Sequence, residues 1–461
     1  MSEESEGRTQ AAEYKSGSIS LTGAVAMGTG VMIGAGIFAL TGQIAGLAGP
    51  WFPLSFAAGA LVTLFSAYSY IAMSNAWPSA GGIAMILTKA YGPGTVAAAA
   101  SVLMALSMVI NESLVARTFA TYALRPFGID GGPLVPLIGV ALIIFAYMVN
   151  VSGNRSVGRW SIVMSAVKIA GIALFGIAAL WASGGEWQSG NGGAETGALG
   201  FAGSVALSIL AFKGFTTITN SGAEITDPHR NVGRTILISI AICTAVYLLV
   251  ALAVATSLST EQIRAAQDYA LAEAAGPVLG QVGFYLTVAL ALVATASGLI
   301  ASIFAVSRML TMLTDMKMIP HSHFGMSGSI RSHMLIYTVF VAGALTVLFD
   351  LGRIASLGAF FYLVMDMAVH WGVWRNLRDK IEVRGWILLT ALALDAAVLA
   401  AFSAIKWQSD PLIVVIALAA IALVLLAERL FLARNGQRDN AAGTHSQHPQ
   451  PSEHKEERNL Q

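Results

Sequence analysis

Long apolar runs, separated by short polar or Gly/Pro-containing turns, occupy most of this chain. Runs of about 18 or more residues are long enough to cross the hydrocarbon core of a bilayer as helices. Twelve such runs predict an all-α, polytopic membrane protein with 12 transmembrane helices. They cover residues 21–47, 52–76, 93–123, 133–151, 159–182, 200–220, 232–257, 278–310, 334–351, 354–374, 385–405 and 411–433.

Composition agrees with a membrane protein, since 56% of the residues are hydrophobic and 11% are charged, against about 25% charged in soluble domains. The net charge of +1 gives no basis for nucleic-acid binding. The single cysteine, Cys243, excludes an intrachain disulfide framework. The segments show no metal-ligand spacing and no nucleophile–base spacing, so we expect no cofactor, no metal and no enzymatic activity.

The basic residues predict the orientation in the membrane. An even number of spans places both termini on one side. Of the 26 Lys and Arg residues, four fall on the opposite side and three within segments, while the rest lie on the side of the termini. Cytoplasmic loops carry the excess of Lys and Arg, so residues 1–20 and a disordered tail at 434–461 are both expected in the cytoplasm of a multi-pass protein of the cell membrane.

Two segments contain residues that disfavour a continuous helix. Segment one carries Gly34 and Gly36 at its centre, and each glycine weakens a helix by about 0.8–1 kcal/mol relative to alanine. Segment six carries Lys213 and Gly214 followed by threonines. Two broken helices five segments apart predict a 5+5 inverted repeat, residues 21–182 and 200–374, with a site near the midplane. Residues 385–433 then form two additional C-terminal helices.

Four motifs in this order resemble those of the amino acid-polyamine-organocation transporters, which share the LeuT-type fold. GVMIGAGIF (30–38) is similar to the segment-one motif of that family, and AWPSAGG (76–82) with AYGP (90–93) resembles its first cytoplasmic loop. AFKGFTTITNSGAEITDPHRNVGRTI (211–236) resembles segment six and the loop after it, and SRMLTMLTDMKMIP (307–320) resembles the loop after segment eight. The resemblance implies secondary transport of amino acids or related amines.

An unwound segment one exposes backbone groups that suit an α-amino acid. Free N–H groups at Gly34, Ala35, Gly36 and Ile37 suit the carboxylate, whereas carbonyls near Ile33, Ala211, Phe212 and Gly214 suit the ammonium. In the alternative interpretation, Gly34 and Gly36 serve only close helix packing. Phe212 and Phe215 flank the break in segment six, and the resemblance implies an aromatic gate there, with simple packing as the alternative.

Lys168 is an ionisable residue in the apolar segment five. A charge at membrane depth costs at least about 2.5–3.5 kcal/mol on insertion scales. The resemblance implies that its ammonium takes the place of a sodium ion and that Lys168 couples transport to protons. The alternative is a structural lysine that reaches toward the cytoplasmic end.

Lys213 departs from the pattern of the family, which has an uncharged residue at this place. Segment three offers Asn111 and Glu112 near the expected pocket. A Lys213–Glu112 ion pair would leave the pocket neutral and suit a neutral amino acid. An unpaired Lys213 would favour an anionic substrate, and an unpaired Glu112 a cationic one.

Further polar groups lie toward the cytoplasmic side. Glu224 and Asp227 lie close in sequence to Arg230 and Arg234, as a cytoplasmic latch or as solvated loop charges. Asp366 and His370 share a face of segment ten at i, i+4 spacing, which we interpret as a local hydrogen-bonded pair.

The sequence therefore predicts a plasma-membrane permease that carries amino acids by alternating access, coupled to protons or working as an exchanger. Its partners are a small-molecule substrate and the lipid bilayer. A sodium-coupled amino acid or polyamine transporter of the same fold is the first alternative, with Thr295 and Ser297 as possible oxygen ligands. A non-transporting amino-acid sensor is the alternative from another class.

Overall fold

The structure is a computed structural model that describes residues 17–79, 81–152, 157–189, 197–319 and 330–445. Within these residues the regular elements are helices, apart from one isolated parallel bridge between Ile19 and Ile225. The α-helices are α1 Leu21–Ala48, α2 Phe52–Ala76, α3 Gly82–Tyr91, α4 Thr95–Leu124, α5 Leu134–Val151, α6 Val157–Ala182, α7 Ala198–Phe212, α8 Phe215–Asn220, α9 Pro228–Ser257, α10 Thr260–Ala265, α11 Ala270–Asp315, α12 Ile330–Leu348, α13 Leu351–Gly372, α14 Gly385–Ser409 and α15 Pro411–His445.

The helices are long and apolar, as expected of a membrane protein. Ten stretches of helix in the described residues are long and apolar enough to cross a bilayer. Each of the twelve runs identified in the sequence overlaps a helix. The count of twelve spans and the inverted repeat stay predictions.

Local sequence signals explain where several helices begin, end or bend. Ser20 caps α1, because its Oγ accepts a hydrogen bond from Gly23 N at 3.2 Å. Gly49, with a φ of 55°, ends α1 in a conformation that only glycine adopts readily. Gly280, with a φ of 66°, bends α11 three residues after Pro277. α10 and the part of α11 before this bend form a helical connection after α9.

The first helix is continuous, and the predicted break in segment one is wrong for this conformation. α1 runs from Leu21 to Ala48 through Gly34 and Gly36 without interruption. Two glycines cost a helix about 2 kcal/mol together, whereas each unsatisfied backbone group in an apolar interior costs several. Keeping the helical hydrogen bonds is therefore cheaper than unwinding.

The predicted break in segment six is confirmed. α7 ends at Phe212 and α8 begins at Phe215, with Lys213 and Gly214 between them. The bonds across this turn join residues three apart, such as Thr216 N to Lys213 O at 3.0 Å. This tighter turn leaves the pattern of the α-helix and shifts the two halves of the segment relative to one another.

The C-terminal helix is longer than predicted, since α15 continues to His445. The first twelve residues of the expected disordered tail are thus helical, because extending an existing helix costs far less than nucleating one. Residues 446–461 and residues 1–16 lie outside the described residues.

Candidate functional site

A small cavity lies where α1, α4, α11 and the break between α7 and α8 meet. Its volume is about 30 Å³, enough for a few water molecules. Hydroxyl, amide and amine groups share its wall with apolar side chains. The lining residues are Val31, Gly36, Met108, Asn111, Leu210, Ala211, Lys213, Gly214, Thr216, Thr217 and Ser302.

Lys213 reaches from the break in segment six to α4. Its Nζ donates to the carbonyl oxygen of Ser107 at 2.6 Å and to Ser107 Oγ at 2.9 Å. The side chain is 6% exposed. Lys213 therefore fixes the break to α4 through one residue that presents two acceptors.

Glu112 is fully buried on α4 and does not form the predicted ion pair with Lys213. One of its oxygens accepts from Ser302 Oγ at 3.4 Å, and the other has no hydrogen-bond partner in the described structure. Lys213 instead contacts Ser107, which lies five residues before Glu112 on α4 and offers two acceptors. The two groups interact electrostatically without direct contact.

Gly36 serves close packing of α1 against α7 and α9. A Cβ at Gly36 would lie 2.5 Å from Tyr247 Oη and 2.8 Å from the Ala211 carbonyl oxygen. Tyr247 Oη lies 2.6 Å from Met32 O and 3.1 Å from Ala211 O, so it joins α9 to both helices. The N–H groups of residues 34–37 lie inside a continuous helix, where they are not free to hold a carboxylate.

Of the remaining residues predicted for the substrate site, some line the cavity and others are buried in helix packing. Asn111, Ala211 and Gly214 line the cavity. Ile33 and Ile37 are fully buried, and a Cβ at Gly34 would face the carbonyl oxygen of Ala294 on α11. The side chain of Ala35 lies outside the described residues.

Neither predicted gate ring lies over the cavity. Phe212 packs against Tyr247 with ring centroids 4.9 Å apart, and Phe215 packs edge-on against Tyr70 at 5.2 Å. Both rings are fully buried. The packing interpretation therefore describes both phenylalanines in this conformation.

Lys168 points inward to α1 instead of reaching for the cytoplasmic surface. Its Nζ donates to the carbonyl oxygen of Gly30 at 3.3 Å, and the residue is 3% exposed. No carboxylate of the described residues interacts with this ammonium. Lys168 thus places a cation on the backbone of α1, four residues before Gly34.

The hydroxyls considered as sodium ligands are turned to their own helix. Thr295 Oγ1 donates to Ala291 O at 2.6 Å, and Ser297 Oγ donates to Val293 O at 2.7 Å. Both bonds follow the i, i−4 pattern common for hydroxyls in apolar helices. In this arrangement both hydroxyl protons are used in hydrogen bonds within α11.

Several contacts join the turn after α8 to α11 and to the residues before α1. Arg308 on α11 pairs with Glu224 at 2.7 Å, in place of the predicted Arg230 or Arg234. Ile19 N donates to Glu224 O, and Thr226 N donates to Ile19 O, both at 2.9 Å. The N-terminal approach to α1, segment six and α11 are therefore joined at one place.

The sequence predicts only two of the three members of a buried cluster of titratable side chains. Asp366 and His370 of α13 meet Asp395 of α14, and all three side chains are fully buried. The i, i+4 spacing predicts that the first two are neighbours, but they lie 3.6 Å apart without the expected hydrogen bond. Asp395 comes from a separate helix with no local signal, so the sequence shows no ligand spacing there.

The helical bundle with a polar cavity at an interrupted helix defines the class, a membrane transporter. The family model for amino acid permeases matches residues 19–438, and the chain belongs to that family. An inner membrane transport protein of Escherichia coli, YbaT, is 30% identical over 397 residues, which is 85% of this chain and 90% of that protein.

Two further relatives extend the comparison. An uncharacterized protein of Methanocaldococcus jannaschii is 30% identical over 362 residues, 77% of this chain and 82% of that protein. The branched-chain amino acid permease BcaP of Lactococcus lactis is 28% identical over 249 residues, 50% of this chain and 53% of BcaP. The similarity to the first two extends over most of each chain.

Proposed function

We propose that the protein is a secondary active transporter of neutral amino acids that works by alternating access and needs no sodium. The observation that carries this proposal is the cavity at the break between α7 and α8. Its lining combines polar groups with the apolar side chains of Val31, Met108 and Leu210. The family and the name of BcaP support amino acids as the substrate class.

The charges around the cavity favour a neutral substrate. Lys213 is held by Ser107, and Glu112 lies near enough to attract it without contact. The positive charge of Lys213 and the negative charge of Glu112 would then cancel for a bound substrate. An amino acid whose side chain carries no charge adds no net charge to this buried region, where an uncompensated charge is costly.

The size of the cavity favours a transport cycle with moving helices. A few water molecules fit, but an amino acid needs more room. In this proposal the contacts of Glu224 with Arg308 and with Ile19 close the cytoplasmic end. Release of these contacts would let α1 and segment six separate from α11, which widens the cavity toward the cytoplasm.

Lys168 supports independence from sodium. Its ammonium supplies a positive charge at the carbonyl oxygen of Gly30, a backbone oxygen of the kind that sodium takes as a ligand. Loss of the proton would release that carbonyl, so Lys168 is proposed as the residue that couples protons to substrate movement. Both termini are proposed to face the cytoplasm.

Uptake into proteoliposomes tests the substrate class. Purified protein is reconstituted, and radiolabelled neutral, acidic and basic amino acids and polyamines are offered under an imposed pH gradient without sodium. We expect accumulation of neutral amino acids with apolar side chains above protein-free liposomes. Accumulation of only charged amino acids or polyamines would contradict the proposed substrate, and binding of neutral amino acids without uptake would indicate a sensor.

A further inference from the structure

Three buried side chains from two helices converge on one point outside the proposed substrate site. His370 Nε2 lies 3.6 Å from Asp366 Oδ2 and 3.3 Å from Asp395 Oδ2. One ligand atom from each residue lies within 4.8 Å of the other two. We propose that Asp366, His370 and Asp395 form a binding site for one divalent transition-metal ion of the zinc type, here called the α13–α14 metal site.

The distances agree with ligands that share an ion. Zinc is bound by His nitrogen and carboxylate oxygen at about 2.0–2.2 Å, and tetrahedral geometry then places neighbouring ligand atoms about 3.3–3.6 Å apart. The two distances from His370 Nε2 fall at these values. A water molecule can supply the fourth ligand.

Unsatisfied polar atoms provide a second, independent observation. His370 Nε2 and both carboxylate oxygens of Asp395 have no hydrogen-bond partner in the described structure, although the side chains are fully buried. His370 Nε2 faces two carboxylates and forms a hydrogen bond with neither. Such atoms carry a desolvation cost of about 1–3 kcal/mol or more each, which an ion bound between them would offset.

Neighbouring hydroxyls of α2 orient the ligands. Ser69 Oγ lies 2.7 Å from His370 Nδ1, and when Nδ1–H donates to it, Nε2 keeps the lone pair that a metal requires. Ser66 Oγ donates to Asp366 Oδ2 at 2.6 Å, and Tyr70 Oη donates to Oδ1 at 2.5 Å. Metal-binding histidines and carboxylates are commonly held by such partners.

The charge balance also favours a divalent cation. Two carboxylates with a neutral imidazole carry two negative charges in a region without exposed surface. A divalent ion neutralises both. Histidine nitrogen with carboxylate oxygen suits zinc and its first-row neighbours more than calcium or magnesium, which prefer oxygen ligands only.

Metal content of the purified protein tests this site. The chain is purified in detergent without a histidine tag, from cells grown with zinc, and its zinc is measured by mass spectrometry together with the thermal unfolding temperature. Asp395→Asn is compared with Glu428→Gln, which alters another buried carboxylate, on α15, that also has an unpartnered oxygen. Both variants keep the histidines of the C-terminal tail, so zinc bound there cancels.

We expect the wild type and Glu428→Gln each to carry about one zinc per chain more than Asp395→Asn carries. Wild-type protein that carries no more zinc than Asp395→Asn, and whose unfolding temperature does not change on addition of zinc, would overturn the proposal and indicate that protons neutralise the cluster. If Asp395→Asn does not fold, Ser69→Ala serves instead. This variant should hold zinc about 10–100-fold more weakly against a chelator, and unchanged retention would contradict the site.

Discussion

The ammonium of Lys168 lies 3.3 Å from the carbonyl oxygen of Gly30 and thereby joins α6 to the middle of α1. The bond is buried, and the cation has no acidic partner within the described residues. A lysine in this situation can lose its proton at modest cost, whereas an arginine stays protonated at every physiological pH. Lys168 therefore holds α1 through Gly30, and carrying a proton is its second, proposed role.

Replacement of Lys168 by arginine and by methionine distinguishes these roles. Lys168→Arg keeps a cation near Gly30 O, so we expect exchange of internal for external amino acid to continue while accumulation driven by a pH gradient is lost. Lys168→Met removes the cation, and both activities should fall at least tenfold. Counterflow and gradient-driven uptake in the same proteoliposomes measure the two separately. Gradient-driven accumulation by Lys168→Arg at the wild-type level would exclude proton coupling through this residue.

Charge selectivity should follow Lys213 and Glu112. Lys213→Met leaves Glu112 as the only charge and should shift uptake from neutral toward cationic amino acids. Glu112→Gln leaves Lys213 alone and should shift it toward anionic ones. Because a single buried charge also destabilises the protein, the double variant is the control, and it should regain preference for neutral substrates. Competition of each amino acid class against labelled neutral substrate measures the shift.

Unchanged selectivity in both single variants would show that neither charge faces the substrate. Ser107→Ala provides a further comparison, since it removes the hydroxyl that holds Lys213 and leaves both charges in place. We expect this variant to keep the preference for neutral substrates with a weaker apparent affinity.

Gly36 is expected to tolerate no side chain. The Cβ of Gly36→Ala would meet Tyr247 Oη at 2.5 Å and Ala211 O at 2.8 Å, and such overpacking costs about 1–3 kcal/mol. Gly343→Ala on α12 is the matched control, because its Cβ would meet nothing within 4 Å. That substitution should stabilise the helix by about 0.5–1 kcal/mol. Thermal unfolding in detergent should therefore shift in opposite directions, and a Gly36→Ala protein as stable as the wild type would contradict close packing at this position.

The sequence predicts much of the helical framework because apolar run length directly reports membrane helices. It also identifies the break at Lys213–Gly214, where a charged residue and a glycine interrupt an apolar run. It does not distinguish an unwound segment one from a packed one. Gly34 and Gly36 weaken a helix locally, and only the close approach of Ala211 and Tyr247 shows what the missing side chains allow.

Contacts between distant side chains were the least predictable part. Lys213 contacts Ser107 instead of Glu112, and Glu224 pairs with Arg308 instead of the nearby Arg230. Each choice depends on the relative rotation and height of two helices. Spacing along one helix carries no such information, and Asp395 lies on a different helix from Asp366 and His370.

The Glu224–Arg308 pair should keep the cytoplasmic end closed. Glu224→Gln weakens this pair, so the cavity side of α8 should become more accessible from the cytoplasm. In a background with Cys243→Ala, a cysteine at the buried Thr219 reports this by its rate of reaction with a polar thiol reagent. We expect the rate to rise several-fold with Glu224→Gln and to stay constant with Asp227→Asn, an exposed acid in the same loop. Equal rates in all three proteins would show that the pair does not close this end.

Uptake of a neutral amino acid with sodium replaced by choline, inside and outside the liposomes, tests the central claim most directly. The account predicts that wild-type protein accumulates the amino acid equally well with and without sodium when the outside is acidic, and that Lys168→Met does not accumulate it in either medium. Uptake by the wild type that requires sodium would contradict the account, because the ammonium at Gly30 O would then not replace the ion.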